Sequence, residues 1–351
     1  MFAYIVRRLL FVPPTLFVII LINFAVVQVL PGGPVEQMIS EISGEAVDAT
    51  GRISGNVGSE TGNTDSPRMG TGNTSGALES KYRGAQGLPP EFIAELEKQF
   101  GLDKPAHERF WLMLKNYITF DFGESYFKDA SVVDLVLEKM PVSISLGLWT
   151  TLLVYMISIP LGVAKAVRDG TRFDVWTSGI IIVGNAIPAF LFAILLIVLF
   201  AGGRYFDWFP LRGLYSENFA DMSTFEQIGD YFWHLALPIL SMVIGGFAGL
   251  AMLTKNSFME EINKQYVTTA RSKGLTQTRV LYGHIFRNAM LIVIAGFPGA
   301  FIGILFSSSL IIEIVFSLDG LGLLGFEAAL NRDYPVMFAT LYFFGLLGLV
   351  V

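Results

Sequence analysis

Catalysis and cofactor binding need particular residue types at particular spacings, and the familiar sets are missing from this chain of 351 residues. No lysine follows a glycine, so there is no Gly-x-x-x-x-Gly-Lys phosphate loop. The histidines, His107, His234 and His284, are scattered, and there is no His-Glu-x-x-His and no cysteine. Neither a metal site nor thiolate chemistry is predicted. Gly-x-Ser-x-Gly is also absent, which disfavours a serine hydrolase. Gly320-Leu321-Gly322-Leu323-Leu324-Gly325 fits the dinucleotide fingerprint, but it follows an apolar run rather than a strand. It reads as a Gly-rich re-entrant loop packed against neighbouring helices. Any energy-requiring work must therefore draw on a partner chain.

What the chain does carry is a basic, polar island, residues 255–287, between two uncharged runs each long enough to cross a bilayer. Ser257 and Glu260 have capping-box spacing, and Glu260 and Glu261 suit the positive end of a helix. Ile262, Tyr266 and Ala270 fall on one face, and Arg271 and Lys273 precede Gly274, a residue that can end a helix in the left-handed conformation. A second helix is predicted from Thr276, turning into the next run near Asn288. Two short helices joined at a glycine make a knob that fits a groove on a cytoplasmic partner. The alternative is an ordinary amphipathic helix lying on anionic lipid.

The elements that position this island are membrane helices. Hydrophobic residues make up 53% of the chain, charged residues 15%, and the mean hydropathy is +0.56. Uncharged runs occur at 9–30, 140–164, 175–200, 235–254 and 288–312, and a sixth begins at Tyr334. The fold class predicted is an all-α polytopic membrane protein with six transmembrane helices. The sixth run reaches only Val351, so the natural chain is expected to continue. With the N-terminus inside, segments 1–8, 165–174 and 255–287 are cytoplasmic and hold eleven basic against four acidic residues. The Arg7-Arg8 pair precedes a run too long for a signal peptide, so an uncleaved first span is expected. The net charge of -6 comes from the external segments and implies no nucleic acid partner.

Three domains follow: residues 1–30, the N-terminus and first span; 31–139, an external subdomain; and 140–351, the core of the remaining spans. Within the subdomain, 40–87 is rich in Gly, Ser, Thr and Asn and repeats Thr-Gly-Asn-Thr, the composition of a mobile insertion. Helices are predicted after Pro89-Pro90 with Phe92, Leu96 and Phe100 before Gly101, and again through Phe110, Leu114 and Tyr117. Pro and Gly recur inside the runs, as at Pro160, Pro188, Pro238 and Gly296-Phe297-Pro298-Gly299. They serve close packing or allow helices to rock. Ionisable residues are nearly absent from the span interiors, which argues against a proton or sodium relay. Glu313, at the outer end of the fifth run, reads as a gating group or, more simply, as a solvated interfacial residue.

At the basic island the chain resembles the permease subunits of ATP-binding cassette importers, in their oligopeptide and dipeptide branch. The residues that carry this are Tyr266-Val267-Thr268-Thr269-Ala270-Arg271-Ser272-Lys273-Gly274-Leu275, followed by His284-Ile285-Phe286-Arg287-Asn288-Ala289. Thr268 stands where the wider family has Glu. Gly101-Leu102-Asp103-Lys104-Pro105 and Asp121-Phe122-Gly123-Glu124-Ser125 are similar to the external segment of the B-type peptide permeases. Phe316-Ser317-Leu318-Asp319-Gly320-Leu321-Gly322 and Arg332-Asp333-Tyr334-Pro335-Val336 resemble their last external loop. Pro31-Gly32-Gly33-Pro34-Val35, Arg172-Phe173-Asp174-Val175-Trp176 and the insertion are similar to the Yej-type group, associated with microcin C and other peptides.

The resemblance implies a type I importer permease in the bacterial inner membrane, working by alternating access and not itself an enzyme. It implies four kinds of partner: a second homologous permease, an ATPase that carries ATP and Mg, an external peptide-binding protein and the peptide itself. Tyr266, Thr268, Thr269, Ala270, Arg271, Lys273, Gly274 and Leu275 would couple to the ATPase, supported by His284, Arg287 and Asn288. Glu313, Asp319, Gly320, Gly322 and Asp333 would form an external gate or loop. A passive channel or scaffold, with the knob as lipid anchor, stays open as the alternative.

Overall fold

The computed structural model describes residues 2–29, 35, 38–39, 89–99, 102–203, 205–303 and 309–350; the insertion expected at 40–87 lies outside them. All regular structure among the described residues is helical, apart from one isolated bridge between Glu124 and Ser131. The chain forms two compact units, Met1–Glu138 with Leu323–Val350, and residues 139–322.

In the first unit α1 (Phe2–Val29) runs through Pro13 and Pro14 without a break. Next come α2 (Pro90–Gln99) and α3 (Ala106–Ile118), the two helices read from the sequence. Phe110 of α3 is buried against Phe17 and Phe24 of α1, with ring centroids 5.8 and 5.4 Å apart. Tyr117, Phe122 and Tyr342 form a second aromatic cluster at 4.7 to 5.6 Å, which holds α3 on α12 (Tyr334–Val350). The helix before it, α11, spans Leu321–Leu330. The α1 and α12 pair is brought close at Gly345, where an added Cβ would sit 3.4 Å from Ile19.

The second unit is built on α4 (Val132–Val167), α7 (Thr224–Ile262) and α9 (Gln277–Gly303), each long and apolar enough to cross a membrane. The run at 175–200, read from the sequence as one span, is two helices, α5 (Arg172–Ala186) and α6 (Ala189–Phe200), bent by 89°. Pro188 disfavours helical backbone at the residue before it, and Ile187 accordingly takes φ -86°, ψ 117°. α7 is the hub, packed by α5, α6 and α9. α4 comes onto it through the Ser158 hydroxyl, which donates to the Phe247 carbonyl at 2.9 Å. Gly162 makes the approach possible, since a Cβ there would lie 2.6 Å from Thr254 Cβ. Two short helices complete the unit, α8 (Gln265–Ser272) and α10 (Ser309–Val315). Val175, Trp176, Ile180, Ile182 and Val183 leave an apolar face of α5 exposed, as expected of a helix solvated by lipid.

Candidate functional site

The knob closes as the sequence requires at its far end and differs at its start. Ser257 begins no helix: α7 continues to Ile262, and the Ser257 hydroxyl donates to the Ala289 carbonyl of α9 at 2.7 Å. A capping signal is local, and the packing of α7 on α9 overrides it. The new helix is α8, entered through Lys264, whose ammonium pairs with Glu261 and lies 3.6 Å from Glu260. An eight-residue helix is unstable alone. Here Val267 and Ala270 are buried in a cluster with Val163, Ala166, Phe258, Val280, Ile285 and Ala289, with Tyr266 and Leu275 packed against it.

Gly274 has φ +79°, and the hydrogen bonds around it make a Schellman end. Gly274 N–H donates to the Arg271 carbonyl at 2.9 Å and Leu275 N–H to the Ala270 carbonyl at 3.4 Å. The chain then re-enters helix after Thr276 and passes a π-helical turn at Leu281–Ile285 on its way into the span. The outcome is a knob with an apolar underside and an outer face of Thr268, Thr269, Arg271, Ser272 and Lys273, all exposed. Among the proposed supporting residues, the Asn288 side chain hydrogen-bonds Tyr266. His284 and Arg287 are exposed, and their side chains make no hydrogen bond or ion pair among the described residues.

Two charged clusters anchor the knob. Tyr266 donates its hydroxyl to Glu261 Oε2 at 2.7 Å. Glu261 is buried, and Lys264 and the Tyr266 hydroxyl hold its carboxyl below the usual range. Burial, and then the hydrogen bond to Glu261, push the Tyr266 phenol up. The other cluster was not singled out from the sequence. Lys165 is fully buried at the end of α4 and directs three hydrogen bonds to the Asp174 carbonyl (2.9 Å), Thr177 Oγ1 (3.0 Å) and Ser178 Oγ (2.7 Å). An ammonium has three protons, so its 2.9 Å approach to Asp174 Oδ1 is an ion pair without a hydrogen bond. Lys255 of α7 bridges Asp174 Oδ2 (2.7 Å) and Asp169 Oδ1 (2.8 Å). Lys165 and Lys255 hold the Asp174 carboxyl well below its ordinary value, and Asp169 and Asp174 raise the Lys255 ammonium. Three elements, α4, α5 and α7, are thus tied together by charge, and Val163 and Ala166 beside Lys165 belong to the core under α8.

Of the second predicted group, Glu313, Gly320 and Asp333 are buried, Gly322 is half-buried and Asp319 is exposed. Glu313, read as a solvated interfacial residue, is fully buried. The Ser143 hydroxyl of α4 donates to its Oε1 at 3.0 Å and accepts the Leu321 N–H at 2.8 Å. Gly320 packs so closely on this carboxyl that a Cβ there would overlap it. Instead of a re-entrant glycine loop, Gly322 and Gly325 lie inside α11, whose first N–H Ser143 caps. Asp319 pairs with Lys139 at 2.5 Å. Asp333 belongs to the other unit, where it accepts from the Ser125 hydroxyl (2.5 Å) and Tyr126 N–H (3.2 Å).

Residues 158–351 match the family described as binding-protein-dependent transport system inner membrane component. The chain is 58% identical over 349 residues to the peptidoglycan transport system permease protein YejB of Agrobacterium fabrum, covering 99% of this chain and 93% of that one. It is equally 58% identical over 350 residues to the inner membrane ABC transporter permease protein YejB of Escherichia coli O157:H7, covering 99% and 94%. The oligopeptide transport system permease protein OppB of Salmonella typhimurium is 29% identical over 348 residues, covering 99% and 93%.

Proposed function

Because the chain belongs to the family of binding-protein-dependent transport system inner membrane components, the permease subunits of ABC importers, we propose that it carries peptides inward by alternating access, driven by a separate ATPase. As a permease subunit it is a transport component and not an enzyme. The names of the relatives in Agrobacterium and Salmonella support peptides, either free oligopeptides or fragments of peptidoglycan, as the cargo class. Microcin C-like peptides, implied by the Yej-type resemblance, are a narrower member of that class.

The observation that carries the coupling reading is the construction of α8. Its underside is built into the core of the second unit, and its outer face leaves Thr268, Thr269, Arg271 and Lys273 exposed. A helix held this way behaves as a rigid handle. Force applied by an ATPase, with ATP and Mg bound on that partner, would pass through Val163 and Lys165 into α4 and through Phe258 and Lys255 into α7. This reading has six spans, a cytoplasmic N-terminus, a second homologous permease across the peptide path and an external binding protein that delivers the cargo.

The test is affinity purification of the tagged full chain from mild detergent, with peptide uptake measured in the same cells. Recovery of an ATPase with phosphate loops and of a second permease, together with loss of uptake in Gly274→Asp at unchanged membrane level, is the expected result. Recovery of the chain alone, with Gly274→Asp transporting normally, would replace this reading by a passive channel or scaffold.

A further inference from the structure

Two apolar helices of the first unit run out at the same place. The apolar stretch of α1 covers Leu10–Ala25, and that of α12 begins at Tyr334. Phe24 and Gln28 at the end of the one, and Tyr334 and Phe338 at the start of the other, line a single cavity of about 230 Å³. Gln28 lies three residues, about 4.5 Å of helix rise, beyond Ala25, so the cavity sits where hydrocarbon gives way to headgroups. The third wall is α3, and its outer face bears out that depth. Trp111 is 61% and Ile118 71% exposed, with Leu112 and Phe120 beside them. A helix with buried aromatics on one face and exposed Trp, Leu and Ile on the other belongs in the interface.

The polar groups in this cavity favour an anion. Arg109 donates from Nη2 to Gln28 Oε1 at 2.7 Å and lies over the Phe24 ring at 5.9 Å. Its Nε–H is sealed from solvent and has no acceptor among the described residues. A buried guanidinium N–H left without an acceptor is costly, and Gln28 is the one acceptor the guanidinium has among the described residues. Lys104 and the Asn116 amide line the same cavity. The opposing charge is Asp121, whose Oδ1 already takes the Gly123 N–H at 3.1 Å. The balance is one net positive charge, led by a guanidinium, at headgroup depth.

We propose that this cavity binds the phosphodiester of an anionic phospholipid from the surrounding leaflet. Arg109 is the principal phosphate ligand, Lys104 and Asn116 assist it, and the acyl chains lie along the exposed apolar face of α3. A guanidinium suits this role because its planar fork matches phosphate oxygens and it is weakly hydrated. The site is independent of the transport reading: it would hold whether or not an ATPase docks on α8.

The test is native mass spectrometry of the purified full chain titrated with phosphatidylglycerol and, separately, phosphatidylcholine. The expected result is at least a tenfold preference for phosphatidylglycerol, abolished in Arg109→Gln, partly restored in Arg109→Lys and unchanged in Lys98→Gln, an exposed cation on α2 outside the cavity. Should Arg109→Gln fail to purify, quenching of Trp111 in the unsubstituted chain by brominated phosphatidylglycerol, but less by brominated phosphatidylcholine, decides the matter, with Trp111→Phe identifying the signal. Equal binding of the two lipids, full binding by Arg109→Gln, or displacement of the lipid by millimolar inorganic phosphate or an acetylated dipeptide would overturn the proposal.

Discussion

Gly274 and Gly162 are constrained for opposite reasons, and substitutions separate them. A Cβ at Gly274 meets nothing within 4 Å, so only its φ of +79° matters. Asn tolerates that conformation, whereas a β-branched residue pays about 1–2 kcal/mol. Gly274→Asn should therefore leave melting temperature and uptake close to normal, Gly274→Val should lower the melting temperature, and Gly274→Asp should fold yet lose uptake. The difference between Asn and Asp would isolate the added negative charge beside Arg271 and Lys273 from any backbone effect; equal uptake by the two would discard the charge explanation. Gly162 has ordinary helical backbone but no space. Its Cβ would lie 2.7 Å from the Ala251 carbonyl oxygen as well as against Thr254, and the backbone of α7 cannot turn aside. Gly162→Ala should cost about 1–3 kcal/mol by over-packing, seen as a lowered melting temperature of the detergent-solubilised chain. An unchanged value would mean that α4 and α7 do not approach as closely as described.

At the scale of elements, the Lys165, Asp174 and Lys255 cluster governs how firmly α4, α5 and α7 move together. Lys165→Ala leaves a cavity and removes one of the two cations on Asp174, a loss of about 3–5 kcal/mol. Lys165→Met refills the volume while Lys255 still pairs with Asp174, so it should destabilise less; the reverse order would mean that the filled volume plays no part. The pH dependence has a definite sign. Asp174 is held below its ordinary 3.8, so its stabilisation is complete above that pH and is lost only as pH falls through the lower folded value. Lys255 is held above 10.5, so its share persists below that pH and is lost as pH rises past the folded value. The melting-temperature gap between the unsubstituted chain and Asp174→Asn should then be flat from about pH 5 to 9. A gap that closes inside that window would assign the stability to other groups. None of this was legible in the sequence, where Lys165, Asp174 and Lys255 read as basic and acidic residues flanking spans. Their partnership depends on how three helices meet. The end of α8 at Gly274 was legible because a Schellman stop is written in five consecutive residues. Its beginning was not, because Ser257 found the Ala289 carbonyl of another helix. From the sequence Pro188 reads as a packing or rocking residue inside a single span, and nothing local to it sets the 89° bend. Glu313 was misread for the same reason: its partners, Ser143 and Gly320, are 170 and seven residues away.

For the molecule as a whole, helical class and membrane family followed from hydropathy and from one ten-residue string, since both signals are carried by neighbouring residues. Sidedness rests on a sum of small terms. Segments 1–8, 165–174 and 255–287 hold eleven basic and four acidic residues, and short loops rich in Lys and Arg are retained on the cytoplasmic side. On that bias the proposed orientation has the knob inside and the helices between α1 and α4 outside. The absence of cysteine makes this directly measurable, because a single introduced thiol is then the sole site for a maleimide. Ser272 on α8 and Lys98 on α2 are both exposed, so neither substitution disturbs a core. In intact spheroplasts a membrane-impermeant maleimide should label Lys98→Cys and spare Ser272→Cys, and in inverted vesicles the pattern should exchange. Labelling of Ser272→Cys from outside would place the knob where no ATPase can reach it. The basic segments would then be serving the membrane surface rather than a partner.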